Sequence, residues 1–420
     1  MKVLVIGGGG REHAIIKALK KDGRVSKIYA APGNGGIKID AECVPVKATD
    51  IAGMTGFAEN NSIDYVVVAP DDPLALGMVD ALKEKGVRCF GPDKKAARLE
   101  SSKVFSKNLM KKYNIPTAKY EIFTNSDDAC NYIKSDSVVF PIVIKADGLA
   151  LGKGVIIADN QTQAIDAVFS IMMEKRFGNS GSSIVIEEYL KGPEVTVLAF
   201  TDGKTIVPLV SSMDHKTVFD DNKGPNTGGM GAIAPNPHYS DEIAKECEKK
   251  IFLPTIRAMQ QEGCPFKGCL YFGLMLTDKG PMVIEYNCRF GDPETQAVLP
   301  LLQTSLLEIM ESVTDETLDS AKIVFSDEKS VCVILASAGY PGNFKTGFPI
   351  NGLDNIKDVT IYHSGTSNED NDKLFLTKGG RVLGITAKSS TLELALQKAY
   401  KAAEEINFEG KHYRKDIGRY

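Results

Sequence analysis

Short apolar runs alternate with amphipathic stretches over the first hundred residues. VLVIG (3–7) has the unbroken apolar character of a strand covered on both faces. Gly7 opens a run of four glycines, and REHAIIKALKK then places Ala14, Ile15 and Ala18 on one helical stripe. KIYAAPG (27–33), DYVVVAP (64–70) and VRCFGP (87–92) repeat the strand pattern. Strands separated by helices predict an α/β fold with a doubly wound parallel sheet. Ligands bind such sheets at the carboxyl ends of the strands, where GGGG, PGNGG (32–36) and PDDP (70–73) fall.

The pattern changes near Ser101. SSKVFSKNLMKKYNIP predicts a helix ended by Asn114 and Pro116. FPIVIKADG, GKGVIIAD, a helix at about 162–174, SIVIEEYL, EVTVLAF and TIVPLV then read as a compact antiparallel α+β unit. A longer helix is expected at about 241–261. CLYFGLMLTDKGPMVIEYNCRF reads as a hairpin turning at Asp278, Lys279 and Gly280. A last α+β unit begins near 325, with strands SVCVILAS and GRVLGITA and a helix at about 391–405.

Composition narrows the function. Fifty Lys and Arg against 54 Asp and Glu leave a net charge of −4, so no global field favours nucleic acid or an anionic membrane. No apolar run approaches a spanning length, and the N-terminus lacks the pattern of a secretory signal. The eight cysteines are scattered and form no Cys-x-x-Cys pair, which predicts reduced thiols and a cytoplasmic protein. The five histidines show no ligand spacing.

Two glycine loops invite comparison with nucleotide-binding fingerprints. Gly7-Gly8-Gly9-Gly10-Arg11-Glu12 has Glu12 where the dinucleotide fingerprint needs its third glycine, and the second strand ends without the ribose-binding acid. The loop still suits a phosphate at a helix N-terminus, with Arg11 adding charge; the other reading is a turn. Asp147–Gly154 departs from a P-loop in its spacing and in Gly154, which stands in place of Ser or Thr. Between two strands it reads as a glycine hairpin with one lysine, either a lid over polyphosphate or an ordinary turn. Lys145 is the only charge in FPIVIKA and either snorkels to water or meets a phosphate; Glu187 and Glu188 end SIVIEEYL.

The sharpest cluster is VIEYNCR (283–289). Strand alternation puts Glu285, Asn287 and Arg289 on one face and Ile284, Tyr286 and Cys288 on the other. A carboxylate beside an amide oxygen suits magnesium, and the arginine suits an anion. FGDPET adds Asp292 and Glu294.

Taken together, VLVIGGGGREHA, APGNGG, KADGLALGKGV, DHK (214–216), GPNTGGMGA (224–232), IEYNCRFGDPETQ (284–296), GGRVLGITA and RKDIG resemble the ATP-grasp superfamily. Within it they resemble the phosphoribosylamine–glycine ligase family over nearly the whole chain. The resemblance implies an N-terminal Rossmann-like substrate domain (1–101), an ATP-grasp domain (102–325) with a lid at about 121–190, and a C-terminal α+β domain (326–420). It implies ligation of glycine to 5-phosphoribosylamine through glycyl phosphate, with ATP as substrate and Mg2+ or Mn2+ as metal. By the same resemblance Lys103, Lys145, Gly152, Lys153, Gly154, Glu187, Glu188 and Glu194 hold ATP, and Glu285 and Asn287 the metal. Asp214, Arg289, Asp292 and Glu294 hold glycine and the acyl phosphate. Gly9, Arg11, Glu12, Asn34, Asp71 and Pro73 face phosphoribosylamine. A monomer or weak homodimer with no macromolecular partner is expected.

The chain departs from the family in having Ala69-Pro70-Asp71-Asp72 where Gly-Pro-Glu is common, and LYFG where LYAG is common. FGLML also lacks the acid that many ATP-grasp enzymes carry on the strand before the Glu/Asn pair. The rival readings are another ATP-grasp ligase or carboxylase, a Rossmann oxidoreductase and a non-catalytic nucleotide-binding module.

Overall fold

The computed structural model describes residues 1–149, 154–176, 178–369 and 374–419, with all of their side chains except those of Asn179 and Glu369. Strands β1 (Lys2–Gly7), β2 (Lys27–Pro32), β3 (Glu42–Cys43), β4 (Tyr65–Val68) and β5 (Cys89–Phe90) form a parallel sheet in the order β3-β2-β1-β4-β5. The apolar runs read from sequence are its buried centre: Val3 to Ile6 and Tyr65 to Val67 are inaccessible to solvent. The strand order reverses beside β1, so the glycine turn and the helix Gly10–Leu19 open at the switch point, where a ligand crevice forms.

A second sheet, β6 (Tyr120–Phe123), β7 (Ile142–Ala146), β8 (Val155–Ala158) and β9 (Ile184–Glu188), runs antiparallel in the order β6-β9-β7-β8. The helices Ser126–Ile133 and Gln161–Val168 pack on it through Ala129, Ile133, Ala164 and Val168. This unit has its own small core, separate from the larger cluster beneath the next sheet.

β10 (Glu194–Asp202) and β11 (Ile206–Pro208) lead to the short β12 (Met213–Asp214), the β13–β14 hairpin (Thr217–Phe219, Lys223–Asn226) and β15 (Gly231–Ala234). β16 (Lys267–Thr277) and β17 (Gly280–Asn287) are the expected hairpin, and the four-stranded order is β11-β10-β16-β17. The β13–β14 hairpin was not anticipated from KTVFDDNKGPN, whose charges, glycine and proline mask a strand pattern.

The last part of the chain adds β18 (Lys329–Ser337), β19 (Thr360–His363), a hairpin of β20 (Thr366–Glu369) and β21 (Leu374–Thr377), β22 (Arg381–Ser389) and β23 (Lys411–His412). Its main sheet is ordered β12-β15-β18-β22-β19, with β23 beside β18. Two strands from the middle of the chain therefore complete a sheet begun by the last hundred residues. β15 lies antiparallel on β18, Gly231 opposite Val333 and Ala234 opposite Ser330. This pairing brings the C-terminal part against the segments that carry Asp214 and the GPNTGG loop. Among the described residues no helix is long and apolar enough to cross a membrane.

Candidate active site

The β16–β17 hairpin delivers Glu285 and Asn287 at the carboxyl end of β17. Tyr271 stands opposite Asn287 and Gly273 opposite Glu285, but Leu274 then pairs with Val283. Ile284 is the extra residue of a bulge. Simple alternation put Ile284 with Tyr286 and Cys288; the bulge instead leaves Val283, Tyr286 and Cys288 in the core and turns the Ile284 carbonyl toward Lys145, whose Nζ donates to it at 3.0 Å. From Glu285 onward the expected face is kept, and Arg289 Nη2 donates to Asn287 Oδ1 at 3.4 Å. A Cβ at Gly273 would stand 3.1 Å from Glu285 Cγ, so the neighbouring strand leaves Glu285 room rather than an acid across from it.

Lysines surround this strand end. Buried Glu187 lies between Lys145 at 3.0 Å and Lys107 at 2.9 Å. Lys107 also donates to Thr117 Oγ1 at 2.8 Å, and burial pushes its ammonium down to about 8 against the pull of Glu187. Lys103 donates to the Gly148 carbonyl at 3.0 Å and is also lowered by burial, although Glu285 opposes this. Burial would raise the Glu285 carboxyl, but Lys216, Lys145, Lys103 and Arg289 outweigh it and hold the group below its ordinary value. Glu187 and Glu188 do not act as a pair: Glu188 points to the half-exposed side, where its Oε1 accepts the Lys119 N–H at 2.9 Å. Glu194, at the start of β10, pairs with Lys216 at 2.7 Å. Gly152 and Lys153 lie outside the described residues; the Gly154 carbonyl accepts the Ala146 N–H at 2.8 Å across the hairpin.

Just past the end of β17, Arg289 meets the helices Asp71–Leu76 and Arg98–Ser101. Its Nη2 is 3.0 Å from Glu100 and 3.8 Å from Asp71, and its Nη1 donates to the Phe290 carbonyl at 3.3 Å. Its Nε is buried with no partner among the described residues. Burial raises the Asp71 carboxyl, but Arg289 and Arg11 prevail and lower it. Pro73 is buried in the first turn of the helix Asp71–Leu76. The glycine loop is less open to phosphate than its sequence implied. The Gly9 N–H is taken by Glu12 Oε2 at 2.6 Å, and the Arg11 N–H faces Asp292 Oδ2 at 3.5 Å. Glu12 thus supplies the N3 half of a capping box, Gly9 having no side chain for the other half, and also accepts from Arg11 Nε at 2.7 Å. Asn34 is saturated: Nδ2 donates to the carbonyls of Gly8, His363 and Ser364, and Oδ1 accepts from Gly36 and Ile37. Its side chain joins the first loop to the C-terminal part.

Asp214 and Glu294 form the third group. Burial, then the neighbouring Glu294, pushes the Asp214 carboxyl well above its usual range, and burial raises Glu294. Asp214 Oδ1 is buried with no hydrogen-bond partner among the described residues. Burial, then Glu294, raises the Tyr271 hydroxyl, which lies 2.9 Å from Thr196 Oγ1. Asp292 is held apart from this pair by Gln296 at 2.7 Å and Arg381 at 3.3 Å.

A metal fits the strand end on its donor chemistry. Among the described residues no three His, Cys, Asp or Glu gather as a metal cage. One carboxylate and one amide oxygen, Glu285 and Asn287, are hard donors that leave positions for phosphate oxygens and water, as magnesium requires.

Glu100 carries a testable consequence. Burial pushes its carboxyl up to about 7, more than Arg289 holds it down. Between its ordinary value and about 7 the folded state therefore holds a proton that the unfolded state has lost, so stability falls as pH rises through this window. In ligand-free protein Glu100→Gln is expected to remove that part of the fall in Tm between pH 5 and 8. A pH scan of Tm showing an unchanged slope would refute it.

The comparisons with known proteins cover every sheet just described. Family models described as phosphoribosylglycinamide synthetase match residues 1–100 (N domain), 101–295 (ATP-grasp (A) domain) and 330–420 (C domain). A phosphoribosylamine–glycine ligase from Caldanaerobacter subterraneus subsp. tengcongensis is 49% identical over 99% of both chains. The chain belongs to the phosphoribosylamine–glycine ligase family. The crystal structure of phosphoribosylamine–glycine ligase from Thermotoga maritima superposes with a TM-score of 0.84 at 34% identity, covering 100% of both chains. A biotin carboxylase domain from Hydrogenobacter thermophilus, at 16% identity and TM-score 0.75 over 98% of this chain and 91% of that one, shares the ATP-grasp fold.

Sequence reasoning missed three charged residues in this member of the phosphoribosylamine–glycine ligase family. Lys107 sits one helical turn after Lys103, so both lie on one face of the helix Lys103–Lys112, a spacing that could have found it. Arg381 opens an apolar run, the signal that singled out Lys145. Glu100, in the four-residue helix Arg98–Ser101, has no such signal.

Proposed function

We propose that this chain joins glycine to 5-phosphoribosylamine at the expense of ATP. The γ-phosphoryl group passes to the glycine carboxylate, giving glycyl phosphate and ADP. The amine of phosphoribosylamine then attacks the acyl carbon and expels phosphate, giving glycinamide ribonucleotide, an early product of purine biosynthesis. The observation that carries this reading is the single strand end where Glu285 and Asn287 lie between the Lys103–Lys145 side and the Arg289–Asp71 side.

Transfer of this kind needs positioning and charge neutralisation more than a nucleophilic side chain. Lys103 and Lys145 face the phosphates, while Lys107 and Glu187 fix Lys145. Glu188 and Glu194, on the half-exposed side, are assigned to the base and ribose. Mg2+, with Mn2+ as substitute, would be held by Glu285 and Asn287 and supplies charge neutralisation at the phosphates. Arg289, Asp214 and Glu294 frame glycine. Arg11 and Asp71 face phosphoribosylamine, with Gly9, Glu12 and Asn34 shaping its loop. A cytoplasmic protein acting as a monomer or weak homodimer, with small molecules as its ligands, accords with eight free thiols and a net charge of −4.

Phosphate release from ATP should require glycine, freshly made phosphoribosylamine and the metal together. Omitting any one should abolish it, and bicarbonate should not replace glycine. Release that is independent of glycine would point to a different ATP-grasp ligase, and ATP binding without turnover to a non-catalytic module.

A further inference from the structure

Three segments meet around the two acids assigned to glycine: β12 with Asp214, the turn 291–294 with Glu294, and the loop 228–229, whose Gly229 packs against Asp214 and Pro293. Each is short, and none is braced by a long helix of its own. What holds them in mutual register comes from the last hundred residues. Arg381, the first residue of β22, donates through Nη1 to the Gly228 carbonyl at 2.6 Å, the Asp292 carbonyl at 2.7 Å and the Gly229 carbonyl at 3.4 Å. The same nitrogen is 3.3 Å from Asp292 Oδ1. The preceding peptide is also held, since the Gly228 N–H donates to the Tyr340 hydroxyl at 3.0 Å. The two loops are thus drawn onto one guanidinium, with Gly229 packed between Asp214 and Pro293. At Gly229, whose φ is +106°, a Cβ would stand 2.7 Å from Asp214 Oδ1 and 2.4 Å from Pro293 Cδ. No side chain but hydrogen fits there.

We infer that Arg381 is a positioning residue for the ligation site: by holding the Gly228 and Asp292 carbonyls together it fixes the spacing between Asp214 and Glu294. This rests on the glycine assignment made above. The C-terminal part of the chain then completes the reacting geometry instead of only covering it. A guanidinium suits the task because its rigid plane meets several carbonyls at once, while an ammonium spans fewer with less angular control. Slack of about 1 Å in such a frame is enough to cost about 100-fold in rate. The ATP side, at Lys103 and Lys145, shares no hydrogen bond with Arg381 and should not sense its loss.

The test uses the full chain with Arg381→Gln, Arg381→Lys and Tyr340→Phe, with initial rates against each substrate and Tm for every variant. Arg381→Gln is expected to lower kcat/KM for glycine by about 10- to 100-fold, the range of a lost charged hydrogen bond, and to leave the ATP KM within about threefold. Arg381→Lys should recover part of the loss. Tyr340→Phe, which removes the acceptor of the Gly228 N–H, should shift the glycine constant in the same direction by a smaller factor. Equal losses for all substrates with a lowered Tm in every variant would make Arg381 a purely structural clamp and overturn the inference, as would wild-type glycine constants in Arg381→Gln. If the unsubstituted chain shows no glycine-dependent turnover, the proposed reaction itself fails, a result that needs no variant and removes this inference with it.

Discussion

Glu285→Gln is expected to lower metal-dependent turnover by more than about 100-fold, because even the outer partners of a metal ligand are commonly worth about 10- to 100-fold. The substitution keeps the shape of the side chain and removes its charge. That charge is the focus of Lys216, Lys145, Lys103 and Arg289, which together hold the carboxyl ionised in spite of its burial. With an amide in its place, two neutral oxygens remain at the strand end, a poor match for a hard divalent cation. Four cations also lose the anion they surround, so ATP phosphates should be drawn in without being placed. The pattern expected is therefore ATP binding retained or tightened when metal is absent, with turnover lost when it is present. Calorimetric titration with ATP, with and without Mg2+, reads the first half, and ADP formation across a range of Mg2+ reads the second. Wild-type turnover at ordinary Mg2+ would remove Glu285 from the metal site.

Much of the fold was legible because burial on both faces leaves an unbroken apolar run. VLVIG, YVVV and VCVILAS could be little else, and each is an interior strand of its sheet. Segments whose placement depends on distant chain were not legible. β12 and β15 join the C-terminal sheet through β18, a partner nearly a hundred residues away, and no local pattern announces that pairing. The same division holds at the site. Glu285, Asn287 and Arg289 were grouped by strand period alone, and the structure brings them together. The bulge at Ile284 could not be read, since a one-residue slip leaves composition unchanged while redirecting a carbonyl onto Lys145. Local chemistry also misled. The glycine loop suggests free N–H groups for phosphate, yet Glu12 three residues later caps one of them, and a distant Asp292 faces another. Asn34, which the family resemblance places toward phosphoribosylamine, spends its hydrogen bonds between two loops and the strand end at His363, a role no local pattern announces.

Arg289→Lys tests the substrate side, and the structure sharpens what it should do. The family resemblance places Arg289 on glycine and the acyl phosphate, and a free guanidinium could meet a carboxylate with two parallel hydrogen bonds. In the fold one arm is held by Glu100 at 3.0 Å, and the other reaches the Phe290 carbonyl at 3.3 Å. The donor left over is Nε, buried and without a partner among the described residues, at the edge of the cluster that holds Asn287 and Asp71. An unsatisfied buried donor costs about 1–3 kcal/mol, and a small anion entering beside it would remove that cost. Lysine has no counterpart to Nε: its ammonium can replace the contact with Glu100 or serve the substrate, not both in one geometry. Arg289→Lys should therefore raise the glycine requirement by about 10- to 100-fold, the same energy expressed as affinity, with the ATP requirement changed by less than about threefold. Glu100 supplies the control. If Arg289 serves only to tie Glu100 to β17, then Glu100→Gln and Arg289→Lys should behave alike, with a lower Tm and parallel losses for all substrates. If Arg289 holds glycine, Glu100→Gln should leave Nε in place and disturb the glycine constant far less than Arg289→Lys does. Apparent affinities for glycine and ATP in both variants, read with their Tm values, decide between the two.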